Sequence, residues 1–106
     1  MLTVGIKGRE EATVSEANSA KTLGSGTLDV FATPAMTALM EKTAWKSVAP
    51  FLEEGCGTVG TLLNITHDAP TPFGMNVWCE SELVEIDGRR LVFEVAAYDE
   101  KGKIGG

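Results

Sequence analysis

Val30-Phe31-Ala32-Thr33-Pro34-Ala35-Met36-Thr37-Ala38-Leu39-Met40-Glu41-Lys42-Thr43-Ala44-Trp45-Lys46-Ser47-Val48-Ala49-Pro50 is the stretch that decides the fold. Met36, Leu39, Met40, Thr43, Ala44 and Ser47 recur at three- and four-residue steps, which predicts one long helix with a small, mostly apolar stripe on one face. Thr33 is placed to cap the start through its hydroxyl, and Pro34 suits a first-turn position, where a missing donor costs nothing. Pro50 drives Ala49 out of helical geometry and marks the end. Glu41 falls about 140° from Met36 around the helix, on the flank of the stripe, where a carboxylate can look along the edge of the core.

Outward from the helix, the chain divides into a polar first third and a strand-rich last half. Gly8 to Leu23 carries weak alternation around Ala12, Val14 and Glu16 and is expected to give an edge strand. Gly24-Ser25-Gly26 is a turn without the strand and lysine that a phosphate loop needs. Beyond Pro50 the apolar period changes to two. Thr58 to His67 is predicted as a strand interrupted at Gly60, a residue that suggests a bulge or a close approach to the backbone. After the proline-punctuated turn Asp68–Gly74, Met75 to Ile86 gives a second strand with Val77, Cys79, Ser81 and Leu83 on one face. Asp87-Gly88 signals a hairpin, and Arg90 to Tyr98 returns as a third strand. One helix and an antiparallel meander imply an α+β domain with the helix against one face of a curved sheet.

The chain has 106 residues, enough for one core and one domain over 1–106 that buries roughly two-thirds of its unfolded surface. No apolar run approaches the roughly 20 residues of a membrane span, and no secretion signal opens the sequence, so a cytoplasmic protein is expected. A net charge of −6 argues against a nucleic-acid partner, whose binding needs a basic surface. A phosphate-bearing ligand would need local help from Lys21, Lys42, Lys46, Arg89 or Arg90. Cys56 and Cys79 form no CxxC and have no companion histidines, so neither zinc nor a disulfide framework is indicated, and both are expected as buried or half-buried thiols.

Thr33, Glu41 and His67, the single histidine, are the candidate chemical groups. If the sheet wraps the helix they can converge to activate water or a hydroxyl toward a carbonyl. Glu41 would be base or nucleophile, His67 a proton shuttle, and Thr33 a hydrogen-bonding or nucleophilic hydroxyl.

Val30-Phe31-Ala32-Thr33-Pro34-Ala35-Met36, Leu39-Met40-Glu41, Gly57-Thr58-Val59-Gly60-Thr61, Ile65-Thr66-His67 and Ala69-Pro70-Thr71-Pro72-Phe73-Gly74-Met75 together resemble the fluoroacetyl-CoA thioesterase-like family of hotdog-fold proteins, over about Lys21 to Ile104. The resemblance implies a helix wrapped by an antiparallel sheet, homodimers with active sites at the subunit interface, and hydrolysis of a short-chain acyl-CoA with no cofactor beyond the CoA of the substrate. It matches the family's catalytic threonine, glutamate and histidine to Thr33, Glu41 and His67, and a glycine lying against the thioester to Gly60. Oxyanion donors are then expected near Gly60 or in the first helical turn, at Ala35 or Met36. Relatives continue past Ile104-Gly105 into a last strand between the third strand and the one ending in His67. That strand is expected to be absent here, the sequence covering part of a longer protein. A non-catalytic hotdog module that binds acyl-CoA and a hotdog dehydratase are the competing readings.

Overall fold

The computed structural model describes residues 2–106. The long helix, α2, spans Thr33–Val48 and buries Met36, Leu39, Met40, Thr43 and Val48, so its inner face is the stripe seen in the sequence. Thr43 is tolerated inside because its hydroxyl donates to the Leu39 carbonyl at 2.7 Å. A single 3-10 turn, Ala49–Phe51, follows α2 and contains Pro50. The start differs from expectation. Ala32 is the N-cap, without a side-chain acceptor, and Thr33 is the first helical residue, its hydroxyl engaged elsewhere.

Four antiparallel strands form one sheet in the order β1 (Lys7–Thr13), β2 (Asn76–Asp87), β3 (Arg90–Asp99) and β4 (Gly102–Gly105). Val77, Cys79, Ser81 and Leu83 of β2 are all buried, as the alternation predicts. The β2–β3 hairpin turns through Gly88-Arg89, with Gly88 at φ 60°, the position a two-residue hairpin loop reserves for glycine. A register shift between Leu83 and Glu85 adds curvature. The core lies between α2 and this sheet, around Val14, Phe31, Met36, Leu39, Met40, Val77, Cys79, Ala97 and Ile104. Burial pushes the Cys79 thiol up to about 12, whereas Cys56, expected to be at least half-buried, is exposed.

β1 takes the edge position expected of the first segment, but the chain then folds into a 3-10 turn, Glu16–Asn18, and a one-turn helix α1, Ala20–Leu23, begun by Ser19, whose hydroxyl accepts from Thr22 N–H at 3.1 Å. α2 crosses β1 so closely that a Cβ on Gly8 would lie 2.7 Å from both Ser47 Cβ and the Thr43 carbonyl oxygen.

The stretch Thr58–His67, predicted as a strand, is not one. Residues 57–64 are exposed, and pairing begins only at Thr66, which exchanges backbone hydrogen bonds of 2.8 and 3.1 Å with Gly106. Alternation yields a strand only where a neighbour supplies the ladder, and residues 58–65 have no ladder partner among the described residues. The expected absence of a last strand is also corrected in part. β4 pairs with β3, and Gly105 bridges His67, the position assigned to that strand.

Candidate active site

His67 begins a strap, residues 67–72, that crosses the entrance to α2. Asp68 N–H donates to the Ile104 carbonyl at 2.7 Å, which ties the start of the strap to β4. Further along, the Thr71 carbonyl accepts from Phe31 N–H at 2.9 Å, and Ala32 N–H donates to the Asn18 carbonyl at 2.9 Å. The two residues leading into α2 are therefore held from both sides. This brings Thr33 and His67, 34 positions apart, into contact, with Thr33 Oγ1 2.7 Å from His67 Nδ1. The Phe31 ring packs edge-on against the imidazole, its centroid 6.5 Å away.

Burial lowers the pKa of His67 below its ordinary 6.5, with the Ala69 backbone and the Asp68 carboxylate acting the other way. The imidazole is therefore neutral at pH 7 and can accept the Thr33 proton through Nδ1. Its Nε2 is enclosed, with no hydrogen-bond partner among the described residues. Beside the pair lies a cavity of about 240 Å³, lined by Val30, Phe31, Thr33, His67, Ala69 and Pro70 among others. At about 30 Å³ per water molecule that is the volume of about eight waters, enough for a short acyl group.

Of the two oxyanion donors expected in the first turn, Met36 N–H is already bonded to the Ala32 carbonyl at 2.9 Å, and the Met36 side chain is core. Ala35 N–H belongs to the first-turn donors that a helix leaves unpaired, and the positive end of the helix dipole favours negative charge there. Glu41 and Gly60 form a second group. Both are exposed, and a Cβ on Gly60 would displace the Glu41 carboxylate from this contact. The structure thus gives two pairs, Thr33 with His67 and Glu41 with Gly60. Eight residues of helix, about 12 Å along the axis, separate Thr33 from Glu41.

Two of the basic residues singled out, Lys42 and Lys46, share Glu10 at 3.8 and 3.7 Å, and Arg90 pairs with Glu85 at 3.2 Å. Among the described residues no cluster of His, Cys, Asp and Glu could hold a metal, and no helix is long and apolar enough to cross a membrane. Sequence reasoning passed over Thr71 and Asp99, a buried pair with Thr71 Oγ1 donating to Asp99 Oδ2 at 2.8 Å. A threonine in a proline-rich turn and an aspartate at a strand end carry no signal of a partner 28 positions away.

The family model described as fluoroacetyl-CoA-specific thioesterase matches residues 14–106. A curated fluoroacetyl-CoA thioesterase from Streptantibioticus cattleyicolor is 44% identical over 77 residues, which cover 73% of this chain and 55% of that protein. The chain thus spans about half the length of the curated relative it matches. Among solved structures, a phenylalanine-to-alanine variant of the fluoroacetyl-CoA-specific thioesterase with fluoroacetate and CoA superposes with a TM-score of 0.91 at 34% identity, covering 98% of this chain and 88% of that one. A thioesterase superfamily member from Thermus thermophilus gives 0.88 at 30% identity, over 97% and 77% of the two chains. A hot-dog-like protein from Thermanaerovibrio acidaminovorans gives 0.86 at 26% identity, over 96% and 76%. With its long helix set against a curved antiparallel sheet, the chain has the hotdog fold and belongs to the fluoroacetyl-CoA-specific thioesterase family.

Proposed function

We propose that this protein hydrolyses a short-chain acyl-CoA thioester to the free acid and CoA, with Thr33, Glu41 and His67 as its catalytic residues. The observation that carries the reading is the 2.7 Å contact between a hydroxyl at a helix N-terminus and a neutral, half-buried imidazole beside a small cavity. His67 takes the Thr33 proton as the hydroxyl oxygen adds to the thioester carbonyl. The oxyanion is met by Ala35 N–H and the backbone at Gly60, an interaction worth about 3–4 kcal/mol in comparable sites. The C–S bond then breaks, and the CoA sulfur leaves as a thiol with the proton from His67. Water activated by Glu41 cleaves the acyl-threonine and regenerates the hydroxyl.

The Cα atoms of Thr33 and Glu41 lie about 12 Å apart along one helix, and the two side chains meet different partners, His67 and Gly60. A homodimer in which a second copy supplies Glu41 together with Gly60 would join the two pairs in one site, so the active unit is proposed to be a homodimer with shared sites. The proposed reaction uses no cofactor beyond the CoA of its substrate, and the proposed location is the cytoplasm, in keeping with a soluble acyl-CoA substrate.

Thiol release from acetyl- to hexanoyl-CoA, with a halogenated and an aromatic member, tests this. Glu41→Ala and His67→Ala are expected to lower turnover at least about a hundredfold with folding intact. A folded wild type that binds acyl-CoA without releasing thiol would refute hydrolysis in favour of a binding module. Double-bond formation without thiol release would point to a dehydratase.

A further inference from the structure

The buried Asp99–Thr71 pair belongs to no part of the reaction above, yet both ends of the Thr33–His67 contact lead to it. Asp99 is the last residue of β3 and only 4% exposed; its Oδ2 accepts from Thr71 Oγ1 at 2.8 Å and its Oδ1 from Lys101 N–H at 2.8 Å. Thr71 is fully buried, and its own carbonyl accepts from Phe31 N–H. Thr71 follows His67 by four residues on the strap, and Phe31 precedes Thr33 by two. One carboxylate therefore anchors the strap that carries the imidazole and, through a single backbone bond, the segment that delivers the hydroxyl. A buried carboxylate with both oxygens engaged is a stiff anchor, because releasing either donor leaves charge unsatisfied.

We infer that Asp99 and Thr71 are positioning residues that set the Thr33–His67 geometry, a role that rests on the catalytic reading given above. They touch no reacting atom. Thr71→Val keeps the shape and removes the donor; Asp99→Leu keeps most of the shape and removes both acceptor oxygens. Thr71→Ser keeps the hydroxyl.

The test pairs kinetics with long-range 1H–15N spectra of the imidazole, which need no assignment because the chain has one histidine. Thr71→Val and Asp99→Leu are expected to lower kcat about 10- to 100-fold with KM within about twofold, since misplacement by an ångström suffices for losses of that size. Their imidazole nitrogen shifts should move from the wild-type values, and Thr71→Ser should restore both readouts. If Asp99→Leu does not fold, the valine and serine variants make the same comparison. Folded variants with a lower Tm but wild-type kcat and an unchanged imidazole spectrum would overturn the inference. Should the wild type show no turnover, the hydrolysis reading fails, and the spectrum still decides whether the pair sets the geometry.

Discussion

Mixing two inactive variants is expected to restore activity. Thr33→Ala removes the hydroxyl that contacts His67, and Glu41→Ala removes the carboxylate beside Gly60. Eight residues at 1.5 Å of rise place the Cα atoms of these residues about 12 Å apart along α2 and about 80° apart around it, beyond direct hydrogen bonding between the two side chains. If each site takes Thr33 and His67 from one subunit and Glu41 from the other, neither variant alone contains an intact site. A mixed dimer contains one intact site and one doubly damaged site. Random exchange makes about half the dimers mixed, so the mixture should reach about one quarter of wild-type kcat, and mixed dimers isolated by two different tags about one half. The assay is thiol release at saturating acyl-CoA after co-refolding, with each variant carried through the same steps as a control. Tagged mixed dimers no more active than the separate variants would refute the shared site and return Glu41 to the chain of its own Thr33.

Two further outcomes follow from the site and the packing. Because burial holds the folded-state pKa of His67 below 6.5, protonation opposes the folded state: its contribution to stability is complete above about pH 6.5 and is lost as pH falls through the lowered folded value. Turnover should show an acid limb with an apparent pKa below 6.5, and His67→Gln should flatten the stability change measured by denaturant titration across that window. Gly8→Ala should cost about 1–3 kcal/mol, since its Cβ would meet the backbone of α2 at 2.7 Å, whereas Gly26→Ala, with its nearest neighbour at 3.5 Å, should cost within about 0.5 kcal/mol; thermal unfolding of the two variants checks the contrast.

The parts of the fold legible in the sequence are those whose stability is written along one element. The stripe of α2 and the alternation of β2 each name their own buried face, and Gly88 marks the hairpin between β2 and β3. Thr58 to Ile65 alternates just as well, but a strand also needs an adjacent ladder, which no local pattern can report. The two short helical segments after β1 escaped notice because three or four residues define no period; only their serines at positions 15 and 19 announce them. At the site, Thr33 was recognisable as a helix-start residue, though not as one whose hydroxyl turns to His67. Residue chemistry suggested that Thr33, Glu41 and His67 converge and the resemblance gave each a role, but neither reported that Thr33 meets His67 while Glu41 meets Gly60, since these contacts join segments distant in sequence. Thr71 lies in a stretch that carries the resemblance but with no role attached, Asp99 lies in none, and their pairing became visible only through burial and a hydrogen bond.

Ala32 stands where serine, threonine or aspartate most often closes a helix, and such a side chain would add about 1 kcal/mol of stability. It would also bring an oxygen of the protein's own to the amide hydrogens of the first turn. With a methyl group in that place, no cap side chain bonds the amide hydrogens of the first turn of α2. On the reading proposed above, the helix gives up about that much cap stability at the end where the thioester oxyanion would form.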